Sequence, residues 1–167
     1  MPGNIRIKDI RMLITPYPSF VHEDANMDEI AKMMIANPKA RSVYVVDKKL
    51  RLIGKITLKM LVRQEFRDLI PLSSTSSFYS LEWIGKKYAK EIMAEPVYVK
   101  DNDTLKTAFI KMYENGLDEL PVVDEKMHLI GNIDMLELLT MLIEKKEQER
   151  NKKYLRLNIN RPFQKRF

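Results

Sequence analysis

Two polar motifs, each three residues after a glycine, have the residue types and the spacing to cap a helix or to contact a phosphate. Thr57 follows Gly54 in the first motif. In the second, Asp134 follows Gly131, and Glu137 comes three residues later. A hydroxyl or carboxylate at a helix start caps the helix, and the free amides of the first turn can receive a phosphate. The motifs therefore predict two helix starts and leave open whether their side chains also bind a ligand.

Signals for catalysis or for a metal site are weak elsewhere in the sequence. The five glycines form neither a dinucleotide-binding fingerprint nor a P-loop, and no serine lies in a nucleophile elbow. The isolated His22 and His128 lack the spacing of metal ligands, and the chain has no cysteine. We therefore predict that the protein is not an enzyme and that it holds no metal and no cofactor.

An internal repeat supplies the elements that position the two motifs. Leu52–Val62 recurs within Leu129–Ile143, 77 positions later, and Val43–Asp47 recurs as Leu120–Asp124 at the same offset. Further upstream the offset is 78, so one residue was gained or lost near Pro38. Such self-similarity indicates a duplicated supersecondary unit. It predicts two units of about 60 residues that share a core and do not fold well alone.

Each unit is predicted to contain a strand, a helix, two strands and a second helix. Asn26 and Glu29 have the spacing of a capping box, and apolar residues at helical spacing follow them up to Pro38. Two β-branched runs around a short turn predict a hairpin. A glycine turn at Gly54 and at Gly131 is expected to join the last strand to the last helix. The predicted strands are 19–22, 43–46, 50–53, 96–99, 120–123 and 128–130, and the predicted helices are 27–37, 58–70, 104–113 and one starting after 134.

The net charge of +6 is concentrated at the C-terminus. From Lys145 onward nine lysines and arginines stand against two glutamates, which gives +7 there and about −1 for residues 1–144. The absence of cysteine and of any long uncharged apolar run predicts a soluble, cytoplasmic protein with no membrane partner. In the basic tail, Tyr154–Ile159 alternates as a strand does. We expect the tail to add a strand to a sheet edge or to contact an acidic protein or a nucleic acid.

The order of elements, with VVD before each hairpin turn and LIG before each last helix, resembles a tandem pair of CBS domains, named after cystathionine β-synthase. The resemblance covers roughly residues 6–147. It implies an α+β fold in which two β-α-β-β-α repeats pack through their sheets with pseudo-twofold symmetry. It also implies clefts that bind adenosine compounds. The chain then divides into a first CBS domain at 5–70, a serine-rich linker and lead-in at 71–86, a second CBS domain at 87–147 and the basic tail at 148–167.

The ligand motif of this family is Gly, two residues, Thr or Ser, two residues, Asp, in which the hydroxyl meets a phosphate and the acid holds the ribose. The first copy keeps Thr57 and adds Lys59, but Met60 replaces the acid. The second copy has Asp134 in place of the hydroxyl and Glu137 in place of the aspartate. The ligand-binding residues that the resemblance implies are Arg41, Ser42, Thr57, Lys59, Pro96, Val97, Glu119, Leu120, Pro121, Asp134 and Glu137.

The charge of Asp134 leads to a prediction about the second cleft. A phosphate beside this carboxylate would be repelled, so the second cleft is expected to prefer adenosine, methylthioadenosine or S-adenosylmethionine over AMP and ATP. Asp134→Thr is then expected to raise the affinity for AMP. The first cleft, with Thr57 and Lys59 but Met60, is expected either to tolerate a phosphate and bind ribose poorly or to stay empty.

Three functions compete at this point. The leading hypothesis is a regulatory module that senses an adenosine-containing metabolite, namely S-adenosylmethionine, methylthioadenosine or an adenine nucleotide, in the cleft between two CBS domains. The alternatives are nucleic-acid binding through the basic tail and a ligand-free dimerisation scaffold. The helices that start near Leu58 and Met135 carry more apolar surface than one face can bury, which predicts a homodimer formed by these helices.

Overall fold

The computed structural model describes residues 5–10, 18–38, 40–66, 69 and 85–159, with side chains up to residue 154. Most of the predicted linker at 71–86 therefore lies outside the described residues, which include only 85 and 86 of it. The end of the predicted tail, at 160–167, also lies outside them.

Both units contain the predicted order of strand, helix, strand, strand and helix, which confirms the mixed α+β fold. The first unit consists of β1 (Phe20–His22), α1 (Met27–Ala36), β2 (Ser42–Val46), β3 (Leu52–Thr57) and α2 (Leu58–Glu65). Between the units lies α3 (Ala89–Ile92), and a 3-10 helix (Ile7–Ile10) precedes the first unit. The second unit consists of β4 (Val99–Lys100), α4 (Leu105–Asn115), β5 (Glu119–Val123), β6 (Leu129–Asp134) and α5 (Met135–Ile159).

The two three-stranded sheets repeat each other in detail. In each sheet the first strand runs parallel to the second, and the second runs antiparallel to the third. The register shifts between Val45 and Val46 in one sheet and between Val122 and Val123 in the other, which are equivalent positions 77 residues apart. The change of offset is also confirmed, because α4 starts 78 positions after α1 whereas β5 starts 77 positions after β2.

The predicted glycine turn is wrong, because Gly54 and Gly131 lie inside β3 and β6. Each strand runs directly into the following helix, so its last residue, Thr57 or Asp134, sits at the helix start. Gly54 instead allows a close approach of the chain after α3. A Cβ at this position would lie 2.3 Å from the Met93 sulfur and 2.7 Å from the Met93 Cβ. The packing of Met93 against β3 therefore requires a glycine at position 54.

The last helix is longer than predicted, and the predicted strand at Tyr154–Ile159 is wrong. Helix α5 continues to Ile159 over 25 residues. Its second half is rich in lysine, glutamate, glutamine and arginine, which favour helix, and no glycine or proline interrupts it. An alternation of six residues is too short to override a helix that is already propagating. Helix α2 of the first unit is shorter than predicted, since it ends at Glu65 and not near residue 70.

Each unit lends a short segment to the core of the other. Ile7, from the start of the chain, is fully buried in the core of the second unit, and its amide donates to the Asp103 carbonyl over 2.9 Å. Ala89 and Ile92, which precede the second unit, are buried in the core of the first. The Ala89 amide donates to the Ala25 carbonyl over 2.8 Å. This exchange supports the prediction that neither unit folds well alone.

A third apolar cluster joins the two sheets directly. Tyr44 and Leu52 of the first unit pack with Val123 of the second. The backbone continues the contact, because the Leu52 amide donates to the Met127 carbonyl over 2.8 Å. The two sheets therefore meet near the hairpin turns.

Candidate functional site

A groove of about 650 Å³ lies between the two units, at the ends of β3 and β6 where α2 and α5 begin. Equivalent backbone bonds shape its two sides. The Leu58 amide donates to the Arg41 carbonyl over 2.8 Å, and the Met135 amide donates to the Asp118 carbonyl over 2.9 Å. The groove brings together six of the predicted ligand-binding residues, which are Arg41, Ser42, Thr57, Lys59, Glu119 and Asp134.

The other five predicted residues are not part of the groove lining, and one of them, Glu137, bonds the amide at the start of α5. Leu120 is fully buried in the core of the second unit, and Val97 packs against that core. Pro121 is buried in β5 opposite Asn132, and Pro96 is half-buried in the segment before β4. Contact between a ligand and any of the predicted residues remains a prediction.

The helix starts show that the polar motif residues do cap their helices. The Thr57 hydroxyl accepts from the Met60 amide over 3.2 Å. Asp134 and Glu137 form a capping box: Asp134 Oδ1 accepts from the Glu137 amide over 2.7 Å, and Glu137 Oε2 accepts from the Asp134 amide over 2.9 Å. Capping by Asp134 uses Oδ1, so Oδ2 is the atom through which this side chain would meet a ligand.

The two walls of the groove carry opposite charges. The first unit contributes three cations, and the second unit contributes three carboxylates. Because the cavity lies between them, a ligand in the groove would experience an electrostatic gradient from one wall to the other. The cations are Arg41, Lys55 and Lys59, and the carboxylates are Asp118, Glu119 and Asp134.

A hydrogen-bonded network crosses between the units at the floor of the groove. The Ser42 hydroxyl donates to Glu119 Oε1, and the Tyr44 hydroxyl donates to Asn132 Oδ1. Asn132 Nδ2 donates to Glu119 Oε2 over 3.4 Å, and the Lys55 ammonium lies 3.9 Å from Glu119 Oε1. Glu119 is therefore the member that joins the polar groups of both units.

Burial shifts the pKa of two members of this network. Burial lowers the pKa of the Lys55 ammonium, and the carboxylates of Glu119 and Asp118 oppose this shift. Burial also raises the pKa of the Tyr44 phenol well above its usual value, so the phenol stays a neutral donor at physiological pH. The ammonium lies 5.8 Å from the centre of the Tyr44 ring, within the range of a cation–π contact.

The sequence analysis missed Lys55, Tyr44 and Asn132 as parts of the site. Lys55 and Asn132 occupy equivalent positions in the segments LIGKIT and LIGNID, and both are buried. A polar residue inside an otherwise apolar strand is a signal that could have found them, because a buried polar group requires a partner.

The comparisons with known proteins agree with this geometry. The CBS domain family matches residues 7–66 and 89–144, so the chain belongs to this family. A CBS domain-containing protein from Thermotoga maritima is 31% identical, with 84% of this chain and 96% of that one covered at a TM-score of 0.67. The resemblance to a tandem CBS-domain pair is thereby confirmed.

Two further structures share the fold at lower sequence identity. CBSX2, a CBS-pair protein from Arabidopsis thaliana solved in complex with AMP, is 22% identical, with 85% of this chain and 98% of that one covered at a TM-score of 0.65. The CBS domain pair of protein MJ0100, solved with 5′-methylthioadenosine and S-adenosyl-L-methionine, is 20% identical, with 84% and 97% covered at a TM-score of 0.63. No curated protein is significantly similar to the chain.

The part of the chain that the structure describes lacks two features, a membrane-spanning helix and a metal-binding cluster. None of its helices is long and apolar enough to cross a membrane. Within the same residues, no three side chains of His, Asp or Glu gather in an arrangement that could hold a metal ion.

Proposed function

We propose that the protein is a regulatory module that binds an adenosine-containing metabolite in the groove between its two CBS domains. The observation that carries this proposal is the meeting of both motifs at one groove lined by charged side chains from both units. AMP, 5′-methylthioadenosine and S-adenosylmethionine bound to structures of the same fold support this ligand class. We also infer a regulatory and not a catalytic role, and a cytoplasmic location, which the cysteine-free sequence favours.

A thermal-shift screen tests the ligand class. We expect at least one of adenosine, AMP, ADP, ATP, NAD, methylthioadenosine and S-adenosylmethionine to raise the melting temperature. A ligand at 100 times its dissociation constant adds about 2.7 kcal/mol to the free energy of unfolding. Ribose 5-phosphate and GMP are the controls, since they share the sugar phosphate but lack adenine. If none of the adenine compounds shifts the melting temperature at millimolar concentration, the proposed ligand class is wrong.

We further propose that the module is a homodimer held by α2 and α5. Both helices begin at the groove and expose apolar side chains at helical spacing. The exposed residues are Leu58 and Val62 on α2, Phe66 directly after α2, and Leu136, Leu139 and Ile143 on α5. Exposed apolar rows on helices that begin at the same groove are typical of a protein–protein interface, and a second copy of the chain presents the same rows.

The second half of α5 favours a second candidate function, the binding of a single-stranded nucleic acid. Lys146, Arg150 and Lys153 recur at spacings of four and three residues along one side of the helix, and all three are exposed. We expect a single-stranded DNA oligonucleotide to be retarded in an electrophoretic shift assay at low salt, with the complex weakening as salt rises. Replacing the three cations with glutamate should abolish the shift. A chain that causes no shift at low salt does not have this function.

A further inference from the structure

We propose that the two degenerate motifs together form one composite site, which binds a single adenine nucleotide with its phosphate against the first unit and its ribose against the second. This inference rests on the proposed function and adds the number of ligands, the direction in which the ligand lies and the role of each wall.

A nucleotide site needs groups that bind the phosphate and groups that bind the ribose, and each motif lacks the groups that the other retains. The first motif keeps the Thr57 hydroxyl and adds the Lys59 ammonium, but Met60 stands where a ribose-binding acid would be. The Met60 sulfur instead lies 3.5 Å from the Thr57 amide, against the helix start. The second motif offers carboxylates but no hydroxyl. Either motif alone would therefore make an incomplete nucleotide site.

The groove places the two halves around one cavity. Thr57 and Lys59 line it from the first unit, and Asp118 and Asp134 line it from the second. Its volume of about 650 Å³ falls within the range of about 300–1,000 Å³ that is typical of single small-molecule sites. A ligand in this cavity can therefore reach both walls, and the motifs need not serve separate ligands.

Equivalent positions of the two repeats carry different charges, and this difference fixes the direction of the ligand. Arg41 is replaced by Asp118 in the second unit, although their carbonyls hold the equivalent helix starts. Lys59 is likewise replaced by Leu136, and Thr57 by Asp134. A phosphate is attracted to the first wall and repelled by the second.

The ribose has the opposite preference. Its hydroxyls are hydrogen-bond donors, and carboxylates accept such bonds strongly. Glu137 already bonds the amide at the helix start, so Asp134 Oδ2 and the Asp118 carboxylate are the acceptors on the second wall. A nucleotide lying across the groove thus satisfies both walls, whereas a reversed nucleotide satisfies neither.

Calorimetry with AMP and adenosine on the full chain tests this arrangement. We expect one AMP per chain. Lys59→Gln should weaken AMP binding by about tenfold and leave adenosine binding nearly unchanged, because only AMP carries the phosphate. Asp134→Asn should weaken both ligands by about tenfold, because both carry the ribose. Asparagine caps a helix as well as aspartate does, so this variant should fold. Lys106→Gln, on the exposed side of α4, is the matched control and should change neither affinity.

The sequence predicts a separate cleft in each unit, and separate clefts would give the opposite results. Two AMP molecules per chain, or a higher AMP affinity after Asp134→Asn or Asp134→Thr, would show that a phosphate lies beside Asp134 and would overturn the composite site. Adenosine or AMP binding that neither variant changes would also overturn it, while leaving the proposed function intact. A wild-type chain that binds neither AMP nor adenosine would contradict the composite site and also the premise that this groove binds adenine nucleotides.

Discussion

Replacing Glu119 with leucine should destabilise the protein by about 3 kcal/mol, the loss expected when one partner of a buried ion pair is removed. The Lys55 ammonium, which lies 3.9 Å from the Glu119 carboxylate, would then be buried without this partner. Ser42 and Asn132 would also lose the acceptor to which both donate. Urea denaturation followed by circular dichroism measures the change in the free energy of unfolding.

Three further variants separate the ion pair from the rest of the network. Glu119→Gln keeps an acceptor for Ser42 and Asn132 but removes the charge, so its stability should fall between wild type and Glu119→Leu. Adding Lys55→Met to Glu119→Leu should recover most of the loss, because the unpaired ammonium is removed as well. The control is Glu125→Leu, which breaks an exposed pair with Lys100 and should have little effect. A double variant that is no more stable than Glu119→Leu would contradict the proposed pairing of Lys55 with Glu119.

The pH dependence of Glu119→Leu provides an independent test. Burial already lowers the pKa of Lys55 below its ordinary 10.5, and removing the Glu119 carboxylate should lower it further. Between the folded pKa and 10.5 the unfolded chain binds more protons than the folded chain, so stability rises with pH in that window. The deficit of the variant should therefore be greatest below the folded pKa of Lys55 and should shrink as the pH rises toward 10.5. A deficit that does not change with pH would contradict this account.

Local chemistry explains which parts of the fold were predictable. The capping boxes of Asn26 with Glu29 and of Asp134 with Glu137 form as predicted, because their partners are only three residues apart. Gly116 ends α4 with a φ of 60°, the left-handed conformation in which glycine commonly ends helices. The order of elements followed from the repeat, since each copy provides an independent reading of the same pattern.

Long-range contacts explain what the sequence could not show. The network at the groove floor joins Lys55 to Glu119 across 64 positions, and only the packing of the two sheets brings them together. The same limit applies to the exchange of Ile7 and Ile92 between the cores. Lys8-Asp9-Ile10 and Lys90-Glu91-Ile92 are similar in sequence, but nothing local indicates that each segment packs on the other unit.

The exposed apolar row of α5 leads to the second large expected effect: Leu139→Glu should convert a dimer into a monomer. Leu139 is 51% exposed, between Leu136 at 70% and Ile143 at 48%. Burying a leucine contributes about 1.5–3 kcal/mol, and a twofold interface buries each residue twice. Losing both leucines, and placing two carboxylates in an apolar interface, should cost at least about 3 kcal/mol, which weakens association by about 100-fold or more.

Light scattering coupled to size-exclusion chromatography at micromolar concentration measures this change. Glutamate favours helix and Leu139 is on the helix surface, so the variant monomer should keep its fold, which circular dichroism verifies. The control is Tyr113→Glu on α4, where a large aromatic side chain is 75% exposed but lies on neither α2 nor α5. This control should remain a dimer. A wild-type chain that is monomeric would rule out the proposed dimer. A Leu139→Glu chain that stays dimeric while Tyr113→Glu dissociates would place the interface elsewhere, because the predicted interface contains α5 and not α4.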